Sequence, residues 1–169
     1  TKLVMRYIDV GATSNVESPH MIKVSPDGNY WYVVFTAGQA FQKYSAVDDK
    51  FIAEVNVGEG SWNTFVVSSD SKKSFLVNWN ANGSILYVDL EQMKVIQRYQ
   101  NSSGLFSYPH GIAANKAFNT IYVTAQTGNF IYKINVSNPT FLDPDNDIKI
   151  IILEQGQPQK PFSSLDPHE

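Results

Sequence analysis

Three histidines and one tryptophan recur at similar intervals, and their spacing points to a shared site. His20, Trp62, His110 and His168 each precede a short apolar run, and they are separated by about 42, 48 and 58 residues. If the runs are repeated strands, the four side chains lie at one end of the repeats, where they could form one site. Neutral imidazoles that converge there can bind a transition metal or another ligand, and they can equally hydrogen-bond neighbouring repeats.

A second candidate is an acidic turn that contains Asp143, Asp145 and Asp147. Carboxylates at alternate positions can wrap oxygen ligands around calcium. An EF-hand is not expected, because Ile148 stands where that loop needs glycine and residues 148–153 have the pattern of a strand. Two alternatives remain, which are a simpler surface calcium site and a solvated acidic turn.

The chain shows no recognisable catalytic motif. It has no nucleophile elbow, no glycine-rich phosphate loop and no His-Glu-x-x-His zinc motif. It also has no cysteine, which excludes disulfides, thiolate metal ligands, cysteine nucleophiles and covalent attachment of a c-type haem. Trp31, Trp62 and Trp79 have side chains that could stack on a sugar or a peptide, although large aromatics more often pack between sheets. We therefore expect a binding module rather than an enzyme.

The composition predicts a folded, β-rich protein. Of the 169 residues 43% are hydrophobic, 13% aromatic and only 17% charged, which is far from the composition of a disordered chain. The formal net charge is -3, and the 13 Lys and Arg residues are scattered, so no nucleic-acid partner is expected. No run approaches the roughly 18 apolar residues of a membrane-spanning helix, and no membrane span is predicted.

The elements that must position the candidate residues are short strands. Runs rich in Val, Ile, Tyr, Phe and Trp are bounded by turn sequences at 26–28, 82–83 and 128–129. The pattern predicts units of four antiparallel strands, and the predicted strands lie at about residues 41–45, 50–57, 63–68, 73–79, 84–89, 94–100 and 130–136. Each unit would thus be a twisted sheet, and each histidine would lie just before its first strand.

The repeats resemble those of the YVTN β-propeller repeat proteins. The resemblance is carried by Pro109-His110-Gly111, by the turn at residues 26–28 and by Tyr122-Val123-Thr124, and it covers nearly the whole chain. It implies an all-β fold of four-stranded antiparallel propeller blades, about three of them, from a larger ring of seven. The family resemblance also implies a periplasmic, extracellular or cell-surface location.

The expected blades span residues 18–59, 60–107 and 108–165. Residues 1–17 would hold the outer strand of a preceding blade, at Leu3 to Val10, and residues 166–169 would begin the next blade. Blades bury their apolar faces only against neighbours, so three blades would leave two faces open. We therefore expect the rest of the propeller, from the same chain or another one, to be a partner, and this chain not to fold alone.

Two functions follow from this architecture. The first is a non-catalytic, extracytoplasmic binding or scaffold module without a cofactor, which presents loops or the channel mouth to a protein or polymer. The alternative is a periplasmic redox or metal-binding propeller with its cofactor at the channel mouth. It would resemble nitrous oxide reductases, or a cytochrome-associated propeller, only in placing histidines on such a ring.

Overall fold

The structure is a computed structural model that describes residues 7–10, 18–100 and 106–153. Within these ranges, the β-branched and aromatic runs form twelve short strands, as their composition favours. They make three sheets of four antiparallel strands each, and every sheet is a meander in which neighbouring strands follow one another along the chain. The predicted all-β fold is confirmed.

The strand bounds agree closely with the sequence pattern. The first sheet contains β1 (Pro19–Val24), β2 (Tyr30–Phe35), β3 (Ala40–Ser45) and β4 (Phe51–Asn56). The second contains β5 (Trp62–Val67), β6 (Lys73–Asn78), β7 (Ser84–Asp89) and β8 (Lys94–Tyr99). The third contains β9 (Pro109–Ala114), β10 (Thr120–Ala125), β11 (Phe130–Asn135) and β12 (Ile148–Ile152). A single four-residue helical turn, α1 (Pro144–Asp147), precedes β12.

The sheets pack face to face through two apolar layers. Between the first and second sheets lie Tyr32, Phe41, Phe65 and Leu86, which are all fully buried. Between the second and third sheets, Phe75 and other buried side chains make the same kind of layer. The first strands of adjacent sheets, β1 with β5 and β5 with β9, approach closely, whereas contact between the fourth strands β4 and β8 is slight. The sheets thus fan out from a common inner edge, as propeller blades do.

The hairpin between the first two strands of each blade has one residue in the left-handed region. This residue is Gly28 in the first blade, Ser71 in the second and Phe118 in the third, with φ of 75°, 61° and 57°. The third blade lacks a Pro-Asp-Gly sequence here, and its turn is instead held by the Asn115 side chain, which accepts hydrogen bonds from the main-chain nitrogens of Asn119 and Thr120.

Two expectations concern segments next to the three blades. Residues 7–10 pair with no strand of the described residues, and residues 3–6 lie outside them, so the expected outer strand at Leu3 to Val10 stays a prediction. Val10 packs against the apolar cluster on the open side of the first blade, beside Trp31 and Tyr44. The predicted start of another blade at 166–169 also lies outside the described residues. Among the residues described, no helix has the length and apolarity that crossing a membrane requires.

Candidate functional site

All the predicted channel-mouth residues within the described part of the chain lie at one end of the blades. At this end the first strand of each blade begins and the second strand ends, and the links between blades, at 57–61 and 106–108, cross here. We call it the linker end. The turns at 25–29, 68–72 and 115–119, together with α1, lie at the opposite end.

Strand register places His20, Asn63 and His110 at equivalent positions. Pro19 opposes Phe35 in the first blade, Trp62 opposes Asn78 in the second, and Pro109 opposes Ala125 in the third. A β-bulge follows the first of these residues in every blade, and the bulge holds the next residue. The expected equivalence of Trp62 with the histidines is therefore wrong by one position, because Trp62 corresponds to the prolines and Asn63 to the histidines.

His20 joins the first blade to the second. Its Nδ1 lies 2.7 Å from the main-chain oxygen of Asn63, and since a carbonyl only accepts, Nδ1 carries the proton and donates. The Asn63 side chain is buried beside this bond, and its Oδ1 has no hydrogen-bond partner within the described ranges. His110 is exposed at the equivalent position of the third blade, and His168 lies outside the described residues. The structural alternative for the histidines thus has direct support at His20.

Trp62 is buried among structural partners, and its role as a channel-mouth ligand residue stays a prediction. Its ring is completely buried, and its Nε1 donates to the main-chain oxygen of Gly58 at 2.9 Å. The guanidinium of Arg98 lies over the ring, 5.5 Å from its centroid. Arg98 also donates to the main-chain oxygen of Val57 at 2.6 Å and to Ser84 Oγ at 3.0 Å. Its half-buried position lowers the pKa of the guanidinium, which stays charged at physiological pH.

A polar cleft opens above Arg98 at the linker end. It has a volume of about 520 Å³, and its lining residues are polar apart from one glycine: Glu59, Gly60, Asn78, Asn80, Asn82, Ser84, Arg98 and Gln100. The residues come from the link between the first two blades, the β6–β7 loop and the ends of β6, β7 and β8. We call it the Arg98 cleft.

Gly60 and Asn78 shape the floor of the Arg98 cleft. Gly60 has a φ of 138°, and a Cβ atom there would lie 2.0 Å from Asn78 Nδ2. Asn78 is 6% exposed and uses Nδ2 to donate to the main-chain oxygen of Glu59, while its Oδ1 is buried without a donor. A buried amide oxygen without a hydrogen bond is costly. The Asn78 Oδ1 atom in this floor is therefore a hydrogen-bond acceptor that the described residues do not use.

The rim of the cleft offers further unused groups. Glu59, Asn82 and Gln100 are exposed, and their side chains form no hydrogen bond with the part of the chain that the structure describes. The loop that carries Asn82, residues 79–83, is one residue longer than its counterparts at 36–39 and 126–129. This extra length distinguishes the second blade from its neighbours.

An exposed aromatic pair flanks the same loop. Trp79 is 38% exposed, its ring lies 5.4 Å from that of Tyr108, and its Nε1 donates to the Gln126 side chain. Tyr108 has a φ of 45°, which is unfavourable for a residue with a large side chain. Its main-chain nitrogen donates to the main-chain oxygen of Asn80, a residue of the cleft, so the pair is tied to the cleft wall. We call Trp79 and Tyr108 the aromatic pair.

The acidic turn lies at the opposite end, and its carboxylates serve the turn itself. Asp143 caps α1 by accepting from the main-chain nitrogen of Asp145 and from Asn146 Nδ2, and the latter hydrogen bond is the main reason that its pKa is lowered. Asp147 accepts from Asn135 Nδ2 and from the Asp143 main-chain nitrogen. Within the described ranges, no three His, Cys, Asp or Glu side chains are grouped to hold a metal ion. Calcium binding by Asp143, Asp145 and Asp147 stays a prediction.

Sequence reasoning missed the Arg98 cleft. One signal was present, because Asn78 follows the apolar run 75–77 at the position that holds Phe35 and Ala125 in the other blades. Arg98 and Glu59 lie far from the β6–β7 loop in sequence, so local motifs could not connect them. The propeller register is what brings them together.

Comparison with known proteins supports the fold alone. No protein-family model matches the chain, and no curated protein matches its sequence. Among solved structures, hydrazine synthase of Kuenenia stuttgartiensis matches 77% of this chain and 36% of its own, with a TM-score of 0.63 and 22% identity. The structure of the RRP9 WD40 repeats matches 86% of this chain and 41% of its own, with a TM-score of 0.65 and 14% identity. The dihydro-heme d1 dehydrogenase NirN, in complex with DHE, matches 81% and 28%, with 0.63 and 18% identity.

These structures share an architecture with this chain and differ in function. The chain spans less than half the length of each of them. Their names include enzymes, a haem-related dehydrogenase and a WD40 repeat protein, so the propeller fold by itself selects none of these activities. The function must be argued from the linker end.

Proposed function

We propose that this chain is part of an extracytoplasmic, non-catalytic β-propeller module, which binds a protein or polymer partner at its linker end. The observation that carries the proposal is the Arg98 cleft, where several polar side chains have no hydrogen-bond partner among the described residues, beside exposed Trp79 and half-buried Tyr108. Concave sites that combine a few convergent polar groups with aromatic surface are typical of ligand recognition. The extracytoplasmic location rests on the resemblance to the YVTN repeat family.

The side chains of the cleft favour binding over proton-transfer chemistry. Amides and a guanidinium exchange no protons near neutral pH, and Glu59 is the one carboxylate among the lining residues. Arg98 is further committed to two structural hydrogen bonds and to the ring of Trp62. The arrangement therefore presents hydrogen-bond donors and acceptors in fixed positions, as a recognition surface requires.

The module would be completed by further blades that cover the open face of the third blade. In the first blade, Lys43 opposes Tyr32 and its Nζ donates to the main-chain oxygen of Leu90 in the second blade, at 2.9 Å. In the third blade, Lys133 opposes Tyr122 at the same register, but it is exposed. By continuity of the packing, Lys133 would reach a main-chain oxygen in a following blade.

The redox alternative retains one specific support. The Nε2 atom of His20 is not part of the interblade hydrogen bond, and His110 is exposed at the equivalent place. Histidines from other blades could complete a metal site around the channel mouth. Metal and haem analysis of the whole protein, purified without chelators, decides this point, since stoichiometric copper, iron or haem would favour the alternative.

The test of the proposed function uses the absence of cysteine in the chain. A single cysteine at the linker end (Asn82→Cys) or at the opposite end (Lys116→Cys) carries a photo-crosslinker, and both variants are irradiated in cells of the source organism. We expect the same partner to be captured repeatedly from position 82 and not from position 116. Equal capture from both ends, or none from either, contradicts the proposal.

The same two variants test the location. A membrane-impermeant maleimide added to intact cells is expected to label Asn82→Cys as fast as it labels the purified protein. Labelling that appears only after cell lysis would contradict an extracytoplasmic location. The binding role of the linker end would still be decided by the crosslinking experiment.

A further inference from the structure

From the chemistry of the Arg98 cleft and the aromatic pair we infer that the linker end of the second blade binds a neutral glycan chain. This inference rests on the proposed binding function and adds the class of ligand. It is carried by three features of the described residues: unengaged amides, balanced charge, and an exposed aromatic surface on the same loop.

The unengaged groups match the needs of hydroxyl groups. Each sugar hydroxyl donates and accepts, and a carboxamide or carboxylate can pair with two adjacent hydroxyls at once. Asn82, Gln100 and Glu59 supply such planar groups at the rim, and none has a partner among the described residues. A ligand without many donors and acceptors would leave these groups to water. A hydroxyl-rich ligand would use them all.

The charges in the cleft balance, which disfavours an anionic or cationic ligand. Arg98 and Glu59 are the two ionisable residues in the lining. Arg98 donates to the main-chain oxygen of Val57 and to Ser84 in the cleft wall, and its ring contact with Trp62 holds it there. Two guanidinium N–H groups are already bonded to Val57 and Ser84, so the planar fork is not free as a whole to hold a phosphate or sulfate group. The ligand is therefore inferred to be uncharged.

The aromatic pair supplies the apolar component. Sugars present one face of C–H bonds, and such a face can pack on a flat ring, while the ring excludes water from the neighbouring hydrogen bonds. Trp79 is the most exposed of the three tryptophans, since Trp31 is 7% exposed and Trp62 is fully buried. The bond from Trp79 Nε1 to Gln126 fixes the ring orientation, and the unfavourable φ of Tyr108 keeps its ring beside it.

The dimensions fit a chain better than a single sugar. The Arg98 cleft, at about 520 Å³, lies within the range of sites that hold a ligand of several rings. The loop at 79–83 joins the cleft residues Asn80 and Asn82 to Trp79, so an oligosaccharide longer than the cleft could extend over this loop.

The experiment titrates the whole protein with defined oligosaccharides. The neutral probes are cellohexaose, maltohexaose, laminarihexaose and chitohexaose, the acidic probe is polygalacturonate, and binding is followed by calorimetry and tryptophan fluorescence. We expect at least one neutral hexasaccharide to bind and to change the fluorescence. The double variant Asn82→Ala/Gln100→Ala should bind it about tenfold or more weakly, because two hydrogen bonds are lost.

Two further variants make the result specific. Trp79→Ala should also weaken binding about tenfold and remove most of the fluorescence change. Asn129→Ala alters an exposed residue of the equivalent loop in the third blade, outside the cleft, and should bind within about twofold of the original protein. Far-UV circular dichroism and thermal melts of all variants identify any that fail to fold, and the exposed positions 82, 100 and 129 are chosen to avoid this.

The outcomes separate the ligand class from the proposed function. Failure of every neutral probe, preference for polygalacturonate, or full binding by Asn82→Ala/Gln100→Ala overturns the glycan inference. If a protein is nevertheless captured by crosslinking from position 82, the binding module stands with a protein as its partner. If neither glycan nor crosslinked partner is found, both the inference and the proposed function fall.

Discussion

The imidazole of His20 and the main-chain oxygen of Asn63 are joined by a 2.7 Å hydrogen bond that crosses from the inner strand of one blade to the inner strand of the next. Both residues lie at the β-bulge that begins their strands. The bulge turns the main chain so that one residue faces the neighbouring blade instead of its own sheet. The bond thus couples the two blades at their narrowest separation.

Replacement of His20 by alanine should lower the free energy of unfolding by about 1 kcal/mol, the usual contribution of one such bond. Urea denaturation followed by tryptophan fluorescence measures the change. Lys116→Ala, at an exposed turn, serves as the control and should stay within about 0.5 kcal/mol of the original protein. An equal effect of both substitutions would show that the His20 bond is not stabilising.

Two buried tyrosines should respond in opposite directions to removal of their hydroxyl groups. The hydroxyl of Tyr32 is buried with no partner in the described part of the chain, whereas that of Tyr99 donates to the main-chain oxygen of Pro139. Tyr32→Phe is therefore expected to leave stability unchanged or raise it by about 1 kcal/mol, and Tyr99→Phe to lower it by about 1 kcal/mol. Paired denaturation curves test this, and a loss of stability in Tyr32→Phe would reveal a partner for its hydroxyl.

Stability should decline at alkaline pH because of the same two residues. Burial raises the pKa of both Tyr32 and Tyr99 well above 10, and the Asp27 carboxylate adds to the shift at Tyr32. Above about pH 10 the unfolded chain releases these protons while the folded chain keeps them. Proton release therefore stabilises the unfolded state, and the free energy of unfolding falls. Below about pH 9 neither state has lost them, and this contribution is fully present.

The double variant Tyr32→Phe/Tyr99→Phe isolates that contribution. It should show a shallower decline between about pH 10 and 11, by up to roughly 1.4 kcal/mol per pH unit for each tyrosine removed. Chemical denaturation at half-unit pH steps provides the comparison. Identical slopes for the two proteins would mean that other groups cause the alkaline loss.

Gly28 and Gly60 both have a positive φ, and alanine substitutions at these two positions distinguish the cost of an unfavourable backbone conformation from the cost of a steric clash. Nothing lies within 4 Å of a Cβ atom built at Gly28, so Gly28→Ala should cost only the backbone penalty of about 1 kcal/mol. At Gly60 the added methyl would lie 2.0 Å from the Asn78 amide, and the cost should exceed 2 kcal/mol. Thermal melts rank the two variants, and a milder effect at Gly60 would mean that Asn78 is free to move aside.

Closure of the ring over the third blade predicts the reactivity of its lysines. Lys43 is buried against the second blade, and burial lowers its pKa, while Lys133 and Lys116 are exposed. In the assembled ring Lys133 should become as resistant to an acylating reagent as Lys43, with Lys116 remaining reactive. Mass spectrometry of the modified protein measures this. A Lys133 that reacts at the rate of Lys116 would contradict closure through this face.

The strands were largely predictable because the residues of each strand and of its flanking turns indicate it locally. The short apolar run between Ser84 and Asp89 gave β7, with both bounds as predicted, and Asn82-Gly83 marked the turn before it. The left-handed turn residues Ser71 and Phe118 were not predictable, since neither is glycine or asparagine. Phe118 tolerates its unfavourable φ because its ring packs on Phe75 of the second blade, a contact that no local pattern contains.

The candidate site was less predictable because it depends on register between distant segments. Matching His20 and His110 to Trp62 ignored the bulge, and only the cross-strand pairs show that Asn63 is the counterpart. The Arg98 cleft forms where the first interblade link, the β6–β7 loop and β8 lie side by side. These segments are far apart in sequence, so a local pattern does not reveal their contact. The position of the predicted site at the linker end was nevertheless anticipated from the repeat alone.

The fan-like packing, tight between β1 and β5 and slight between β4 and β8, makes each blade a wedge. The opening angle of a wedge is decided at its wide side, where the Arg98 guanidinium ties β8 to the main chain of Val57. Larger side chains there would widen the angle and let a circle close with fewer blades, and smaller ones would narrow it and admit more. The number of blades in the ring thus depends on the volumes of a few outer side chains more than on the strands that form the core.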